Sequence, residues 1–250
     1  MPNENEPLIQ DFLWDAHTHY LEQESFPDSH INLVNTVTER DFEPLAHLYG
    51  ENRRIFPFFG LHPWFLREAS GNWEAVLEGY LKRFAGAGVG ETGLDKVAAD
   101  KGKALPLKEQ EFFFRRQLEI SLKYQRPVAI HCVGAWGLMI EIVEELYPPR
   151  VEGNPVLFHG YQGSRETALR LLKRGVFFSF CLEALEERGD LIKGLPLEHI
   201  LLETDGRKGK ERYLKETYFR LAALLGIKIE ELITRIGMNG AIFTGYGFSG

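Results

Sequence analysis

Residues 12–19 read Phe12-Leu13-Trp14-Asp15-Ala16-His17-Thr18-His19, an apolar run that passes into alternating polar residues. The apolar run predicts a strand, and His17 and His19 share one face of it because they are two positions apart. Two imidazoles on one face can bind a metal ion together, and imidazole suits Zn, Mn, Ni or Fe. An isolated His-x-His is also common as an ordinary polar loop, so its meaning depends on the rest of the chain.

Short apolar runs alternate with longer stretches of helical period along all 250 residues. This alternation is typical of parallel strands joined by crossover helices. The predicted strands are 12–16, 31–36, 54–60, 86–91, 127–131, 155–159, 175–180 and 199–204. The predicted helices are 39–49, 72–85, 107–125, 135–147, 164–174, 211–225 and 228–237. Eight such runs, without a Gly-x-Gly-x-x-Gly or Gly-Lys-Ser/Thr loop, predict a closed (β/α)8 TIM barrel that forms a single domain over 1–250.

Charge, cysteine content and hydropathy limit the ligands and the cell compartment that we expect for this barrel. A net charge of -7 argues against binding nucleic acid through bulk surface charge, although local cations can still hold a phosphate. Cys132 and Cys181 form neither a disulfide framework nor a Cys-x-x-Cys site, which fits a reducing compartment. The first residues resemble no secretion signal, and no apolar run reaches the roughly 18 residues of a membrane span. We expect a cytoplasmic protein with no membrane association and no obligate protein partner.

Metal-binding residue types stand at or just after six of the predicted strands. They are His17 and His19 just after the first, His62 after the third, Glu91 on the fourth, His131 on the fifth, His159 on the sixth and Asp205 after the eighth. Each alone has a structural explanation, such as a core histidine or a capping acid. The carboxyl ends of barrel strands converge on one face, however, so these side chains are expected to meet in one cavity.

The ordered motifs resemble one known family. They are Asp15-Ala-His17-Thr-His19, Gly60-Leu-His62-Pro63, Gly90-Glu91-Thr-Gly-Leu-Asp95, Pro127-Val-Ala-Ile-His131-Cys132, Phe158-His159-Gly-Tyr-Gln-Gly163-Ser164 and Leu202-Glu203-Thr204-Asp205. Together these motifs resemble those of the TatD family, a branch of the amidohydrolase superfamily. The resemblance implies a TIM barrel, divalent metals and, in many members, deoxyribonuclease activity. It implies one metal held by His17, His19, Glu91 and Asp205 and a second by Glu91, His131 and His159.

The chain departs from the family where the substrate would bind. An arginine and an acid usually follow the fifth-strand His-Cys, whereas this chain has Val133-Gly134-Ala135. After Asp205 it has a basic loop in place of the family's proline and later Arg-Asn segment, and the cations of this loop are Arg207, Lys208, Lys210 and Arg212. The loop can be a phosphate clamp or simply a solvated surface loop. Trp64 and Phe65 can similarly form a stacking wall for a base or serve only loop packing.

These observations predict hydrolysis assisted by one or two divalent ions, which can be Mg, Zn, Mn or Ni. Asp205 is expected to accept a proton from the attacking water, Glu91 to bridge the ions and His62 to orient a substrate oxygen. A phosphodiester such as that of DNA is the best substrate class, because two cations and the basic loop can neutralise its charge. Two alternatives remain: hydrolysis of a small ester, lactone or amide, and an inactive barrel that only binds. No expected metal-binding residue is missing from the sequence, which argues against the inactive barrel.

Overall fold

The computed structural model describes residues 12–20, 26–27, 29–147, 154–207 and 209–245. Its strands are β1 (Leu13–His19), β2 (His30–Asn35), β3 (Ile55–Phe59), β4 (Gly88–Asp95), β5 (Val128–Val133), β6 (Val156–Phe158), β7 (Phe177–Phe180) and β8 (Ile200–Leu202). Its α-helices are α1 (Phe42–Glu51), α2 (Trp73–Arg83), α3 (Lys96–Asp100), α4 (Leu107–Tyr124), α5 (Trp136–Leu146), α6 (Arg165–Leu172), α7 (Leu182–Glu187), α8 (Gly189–Lys193), α9 (Lys210–Leu225) and α10 (Ile229–Thr244).

The eight strands form one parallel sheet in chain order, from β1 to β8. In the described residues, helices separate the successive strands from β2 to β8, and this is the TIM barrel that the sequence predicted. The short helices α3, α7 and α8 were not predicted, because five or six residues are too few to show a helical period. No helix in the described part of the chain is both long and apolar enough to cross a membrane.

Helix α10 covers the amino-terminal end of the barrel. The Phe243 ring lies 5.8 Å from the ring of Phe58 on β3 and 5.7 Å from that of Phe177 on β7. Since these strands belong to opposite halves of the sheet, Phe243 fills the space between them. The cavity lined by the predicted metal-binding residues lies at the other end, where the strands finish.

Polar contacts join β8 to β1 and so complete the circle. The Asp205 amide donates to the His17 carbonyl oxygen at 3.0 Å. The buried Asp15 carboxylate accepts from the Thr204 amide at 2.9 Å and from the Thr204 hydroxyl at 2.6 Å. Burial raises the pKa of Asp15 to about 7, although both Thr204 hydrogen bonds oppose the rise. This seam fixes His17 relative to Asp205.

Strand β4 extends four residues beyond its predicted end at Glu91. The Thr92-Gly93-Leu94-Asp95 segment pairs in register with 130–133 of β5, and its four residues are buried. Gly93 has φ +152°, and a Cβ there would lie 1.9 Å from the His131 carbonyl oxygen. Gly93 thus permits close approach of the two strands beyond the predicted strand end.

We expect Thr204→Val to lower the free energy of unfolding of the metal-free protein by about 1–3 kcal/mol, because it removes a hydroxyl donor from the buried Asp15. Urea denaturation measures this change. Thr234→Val is the matched control: its hydroxyl donates to the Glu230 carbonyl on the exposed face of α10, so the loss there should stay within about 0.5 kcal/mol. Equal losses in the two variants would contradict a special role for the seam.

Candidate metal centre

The predicted metal-binding side chains meet at the carboxyl end of the barrel. His17 and His19 lie in β1, Glu91 in β4 and His131 in β5, while His159 follows β6 and Asp205 follows β8. A cavity of about 380 Å³ opens there, lined by residues that include His19, His62, Glu91, His131, His159 and Asp205. His17 is fully buried beside it and contacts Glu91. All seven residues that the sequence singled out near strand ends therefore lie in one place.

The Glu91 carboxylate stands between two groups of imidazoles. Its Oε2 atom is 3.3 Å from Nε2 of His17 and 3.3 Å from Nε2 of His19. Its Oε1 atom is 2.9 Å from Nδ1 of His131 and 2.7 Å from Nε2 of His159. Burial raises the pKa of Glu91, but the surrounding imidazoles lower it further, so the net pKa is well below the usual range. Each oxygen of an ionised carboxylate thus faces its own set of nitrogen donors.

These donor atoms suit a divalent metal ion. Three sets of potential ligand atoms lie within 4.8 Å of one another, namely His17 with Glu91 and His159, His17 with His19 and Asp205, and His62 with Glu91 and His131. Both ring nitrogens of His17 and Oε2 of Glu91 are buried without a hydrogen-bond partner. Such atoms are costly to bury unless something binds them. A cation would satisfy Glu91 Oε2 and Nε2 of His17, which lie 3.3 Å apart, and the mixed imidazole and carboxylate set is typical of Zn, Mn and Ni sites.

His62 differs from the other imidazoles in its hydrogen bonding. Its Nδ1 accepts the Trp64 amide at 3.2 Å, so the proton of the neutral ring is on Nε2, which lies 3.3 Å from Glu91 Oε1. Burial lowers the pKa of His62 to about 4, although Glu91 raises it in part, so the ring is neutral at pH 7. A protonated Nε2 cannot bind a metal ion but can donate to an oxygen.

Asp95 orients His131 and was not predicted as a site residue. Its Oδ2 atom lies 3.4 Å from His131 Nε2, which favours the proton on that nitrogen and leaves Nδ1 free to face Glu91. Burial raises the pKa of Asp95, but its hydrogen bonds, first that with His131, lower it to about 2. The sequence did hold a signal: Glu91 and Asp95 are four residues apart in β4 and so share a face.

Glu203 stands behind His159 in a similar position and was also missed. Its Oε1 atom is 3.7 Å from His159 Nδ1, and its Oε2 accepts the Ser179 hydroxyl. Burial lowers the pKa of His159, but Glu91 and then Glu203 raise it well above its ordinary value. The available signal was an acid directly after β8, two residues before Asp205.

Asp205 lies at the open edge of the cavity. Its side chain is 41% exposed, and its Oδ1 atom is 3.5 Å from His19 Nε2. The residue has a left-handed backbone with φ +49°, which is uncommon for a residue other than glycine. Burial raises the pKa of Asp205, but the His19 hydrogen bond and nearby imidazoles lower it to about 2. Its carboxylate is therefore ionised at neutral pH and accessible to a water molecule.

The described cations of the basic loop lie outside the cavity lining. Arg207 Nε is 3.3 Å from Glu183 Oε1 and 3.3 Å from the Tyr213 hydroxyl. Lys210 is buried, with Nζ 3.4 Å from the His19 carbonyl oxygen, so burial limits its access to a phosphate in solution. Arg212 is exposed, and Lys208 lies outside the described residues.

Comparison with known proteins gives evidence on the family of this chain that does not depend on the geometry of the site. The sequence profile of the family described as TatD related DNase matches residues 14–241. The Escherichia coli K12 protein named "Uncharacterized metal-dependent hydrolase YcfH" is 25% identical over 253 aligned positions, which cover 88% of this chain and 91% of that protein. The human 3'-5' RNA nuclease TATDN2 is 31% identical over 157 residues. That match covers 60% of this chain but only 20% of the human protein.

A solved structure shows the same fold. The crystal structure of the TatD homologue YJJV from Escherichia coli K12 superposes with a TM-score of 0.80, covering 96% of this chain and all of that one. The two sequences are 22% identical over the superposition, so this likeness supports the barrel and not a particular substrate.

We expect Asp95→Asn to weaken divalent-metal affinity by about 10–100-fold, because His131 loses the carboxylate that sets its tautomer. Asparagine still caps α3, whose Ala98 amide donates to Asp95 Oδ1 at 2.7 Å, so the fold should persist. Isothermal titration of the metal-free protein measures the affinity. Asp100→Asn is the control, since this exposed carboxylate at the end of α3 pairs with Lys96. Unchanged affinity in Asp95→Asn would show that His131 needs no such support.

Proposed function

The chain belongs to the family of TatD-related DNases, and we propose that it is a divalent-metal-dependent phosphodiesterase that hydrolyses nucleic acid. One observation carries the proposal: each oxygen of the buried Glu91 carboxylate faces a separate group of imidazoles. Two cations held close together on one carboxylate are suited to a substrate that develops negative charge on several oxygens, as a phosphodiester does.

The proposed ligand sets follow these two groups. His17, His19, Glu91 and Asp205 would hold one ion, and Glu91, His131 and His159 would hold the other. When bound, such ions lower the pKa of a water molecule toward about 7 and neutralise charge on the phosphate. Mg, Mn, Zn and Ni all remain candidates, because the set combines imidazoles with carboxylates.

Asp205 is the proposed proton acceptor. Its ionised carboxylate is at the open edge, where it can hold the attacking water and take a proton from it. The same carboxyl group can then give this proton to the leaving oxygen, so the group ends each cycle as it began. The backbone bond from the Asp205 amide to His17 keeps the carboxylate beside the imidazoles throughout.

His62 is the proposed donor to a substrate oxygen. Its Nε2 lies 3.3 Å from Glu91 Oε1 in the cavity that both residues line, and the Trp64 amide fixes the tautomer with the proton on this nitrogen. A neutral donor of this kind can stabilise charge on a non-bridging phosphate oxygen without competing for a metal ion. Arg207, Lys208, Lys210 and Arg212 remain proposed contacts for more distant phosphates of the backbone.

We expect Asp205→Asn to reduce turnover of labelled single-stranded DNA by at least about 10²-fold while most metal binding remains, because the amide cannot accept the proton. The assay uses the protein loaded in turn with Mg, Mn, Zn and Ni, with RNA and simple carboxyl esters as parallel substrates. Metal content is measured on the same samples.

Asp190→Asn provides the control, since it removes an exposed carboxylate from α8, away from the cavity. It should leave turnover unchanged. Wild-type rates in Asp205→Asn would remove Asp205 from the mechanism. Esterase activity without cleavage of either nucleic acid would overturn the phosphodiesterase proposal.

A further inference from the structure

Trp64 is an exposed aromatic side chain on the wall of the catalytic cavity. Its exposed fraction is 49%, whereas Trp14 and Trp73 are 0% and 6% exposed, and Trp136 is half-buried among aromatic rings. Phe65 and Tyr20 line the same cavity. Exposed rings such as Phe219 occur elsewhere on the surface, but Trp64 lies on the cavity wall beside other aromatic residues, where a ligand with an apolar face would cover it.

The indole is held in a fixed orientation. Its Nε1 donates to Asp95 Oδ2 at 2.7 Å. Asp95 is itself held on several sides, because its Oδ1 accepts the Ala98 amide, while Gln110 accepts from its amide at 2.7 Å and donates to its carbonyl at 3.0 Å. A ring already fixed in place loses little conformational freedom when a ligand stacks on it.

This ring stands next to the proposed reaction centre. The Trp64 ring centroid is 5.4 Å from that of His62, and the Trp64 amide donates to His62 Nδ1. His62 in turn reaches Glu91. A single imidazole therefore separates the indole from the carboxylate between the two proposed ions. A ring stacked on Trp64 would belong to a nucleotide directly beside the reacting phosphate.

Charge and size of the cavity favour stacking over ionic binding. Among the described residues that line it, none is lysine or arginine, and Asp41, Glu91 and Asp205 are acidic. Beyond bound metal ions, the lining offers a nucleotide mainly aromatic and apolar surface. A volume of about 380 Å³ is near the lower end of the usual range for ligand pockets. A base still paired and stacked within a duplex could not enter such a pocket without leaving the stack.

We propose that Trp64 is a stacking platform for an unpaired nucleobase next to the scissile phosphate, so that the enzyme selects single-stranded or unstacked nucleotides. This inference rests on the phosphodiesterase activity proposed above. It assigns binding of the base to Trp64, while the metal centre acts on the phosphate. Base identity should matter little, because every base offers an aromatic face.

The kinetic test compares a dinucleoside monophosphate with its abasic analogue, in which one base is replaced by hydrogen. Trp64→Ala should lower kcat/KM for the complete substrate roughly 5–150-fold, mainly through KM, as expected for loss of one stacked base. The abasic analogue should lose much less. Trp64→Phe keeps an aromatic face without the N–H donor, so it should restore most of the preference for the complete substrate.

Two controls separate stacking from a structural effect through Asp95. Phe219→Ala removes an aromatic ring that is 61% exposed on α9, and it should change neither substrate. Metal affinity of Trp64→Ala is measured in parallel. Equal losses on the complete and abasic substrates, with or without a loss of metal affinity, would overturn the stacking proposal even if the enzyme is a nuclease.

A binding measurement needs no turnover. Trp64 is the one tryptophan of four with large exposure, so a single-stranded oligonucleotide should quench the fluorescence of the metal-free wild type and not of Trp64→Phe. Quenching without any cleavage would leave the platform standing and reject the proposed hydrolysis. Identical responses of the two proteins, or stronger quenching by duplex than by single strand, would overturn the platform.

Discussion

A carboxylate buried among five imidazoles is the constraint on which the rest of this structure depends. His17, His19, His62, His131 and His159 all lie within 3.3 Å of Glu91 through a ring nitrogen. Taking a carboxylate out of water is costly unless compensating charge or hydrogen bonds surround it. The closed barrel brings these five imidazoles, two from β1 and one each from the ends of β3, β5 and β6, around one carboxylate. Three features support that geometry: the polar contacts between β8 and β1, the close approach of β4 and β5 at Gly93, and helix α10 at the amino-terminal end of the barrel.

Around this centre, a second set of groups decides what each imidazole can do. Asp95 fixes the proton of His131 on the nitrogen away from Glu91, whereas the Trp64 amide fixes the proton of His62 on the nitrogen toward it. The first arrangement creates a potential metal ligand and the second a hydrogen-bond donor. Identical side chains thus acquire different chemistry from their neighbours. Asp95 also holds the Trp64 indole, so one carboxylate positions both a proposed metal ligand and the proposed base platform.

Much of this could be predicted from sequence, because the strongest signals are local. Period-two placement put His17 and His19 on one face, and alternation of strands with helices predicted the barrel whose geometry brings Glu91 beside them. Other features depend on packing that no local pattern encodes. The four-residue extension of β4 was missed because Gly93 suggests a turn unless the neighbouring strand is known. Lys210 counts as a loop cation in the sequence, yet it is buried against the His19 carbonyl. The roles of Asp95 and Glu203 require knowing which ring nitrogens they approach.

Anomalous diffraction from crystals of the metal-loaded protein tests the central claim most directly, because it locates the ions without reference to activity. Manganese or zinc should give two peaks roughly 3.5–4 Å apart, on opposite sides of the Glu91 carboxylate. Glu91 Oε2, His17, His19 and Asp205 should surround one peak, and Glu91 Oε1, His131 and His159 the other, with His62 bound to neither. Peaks away from Glu91, or a Glu91 carboxylate that contacts no ion, would contradict the account.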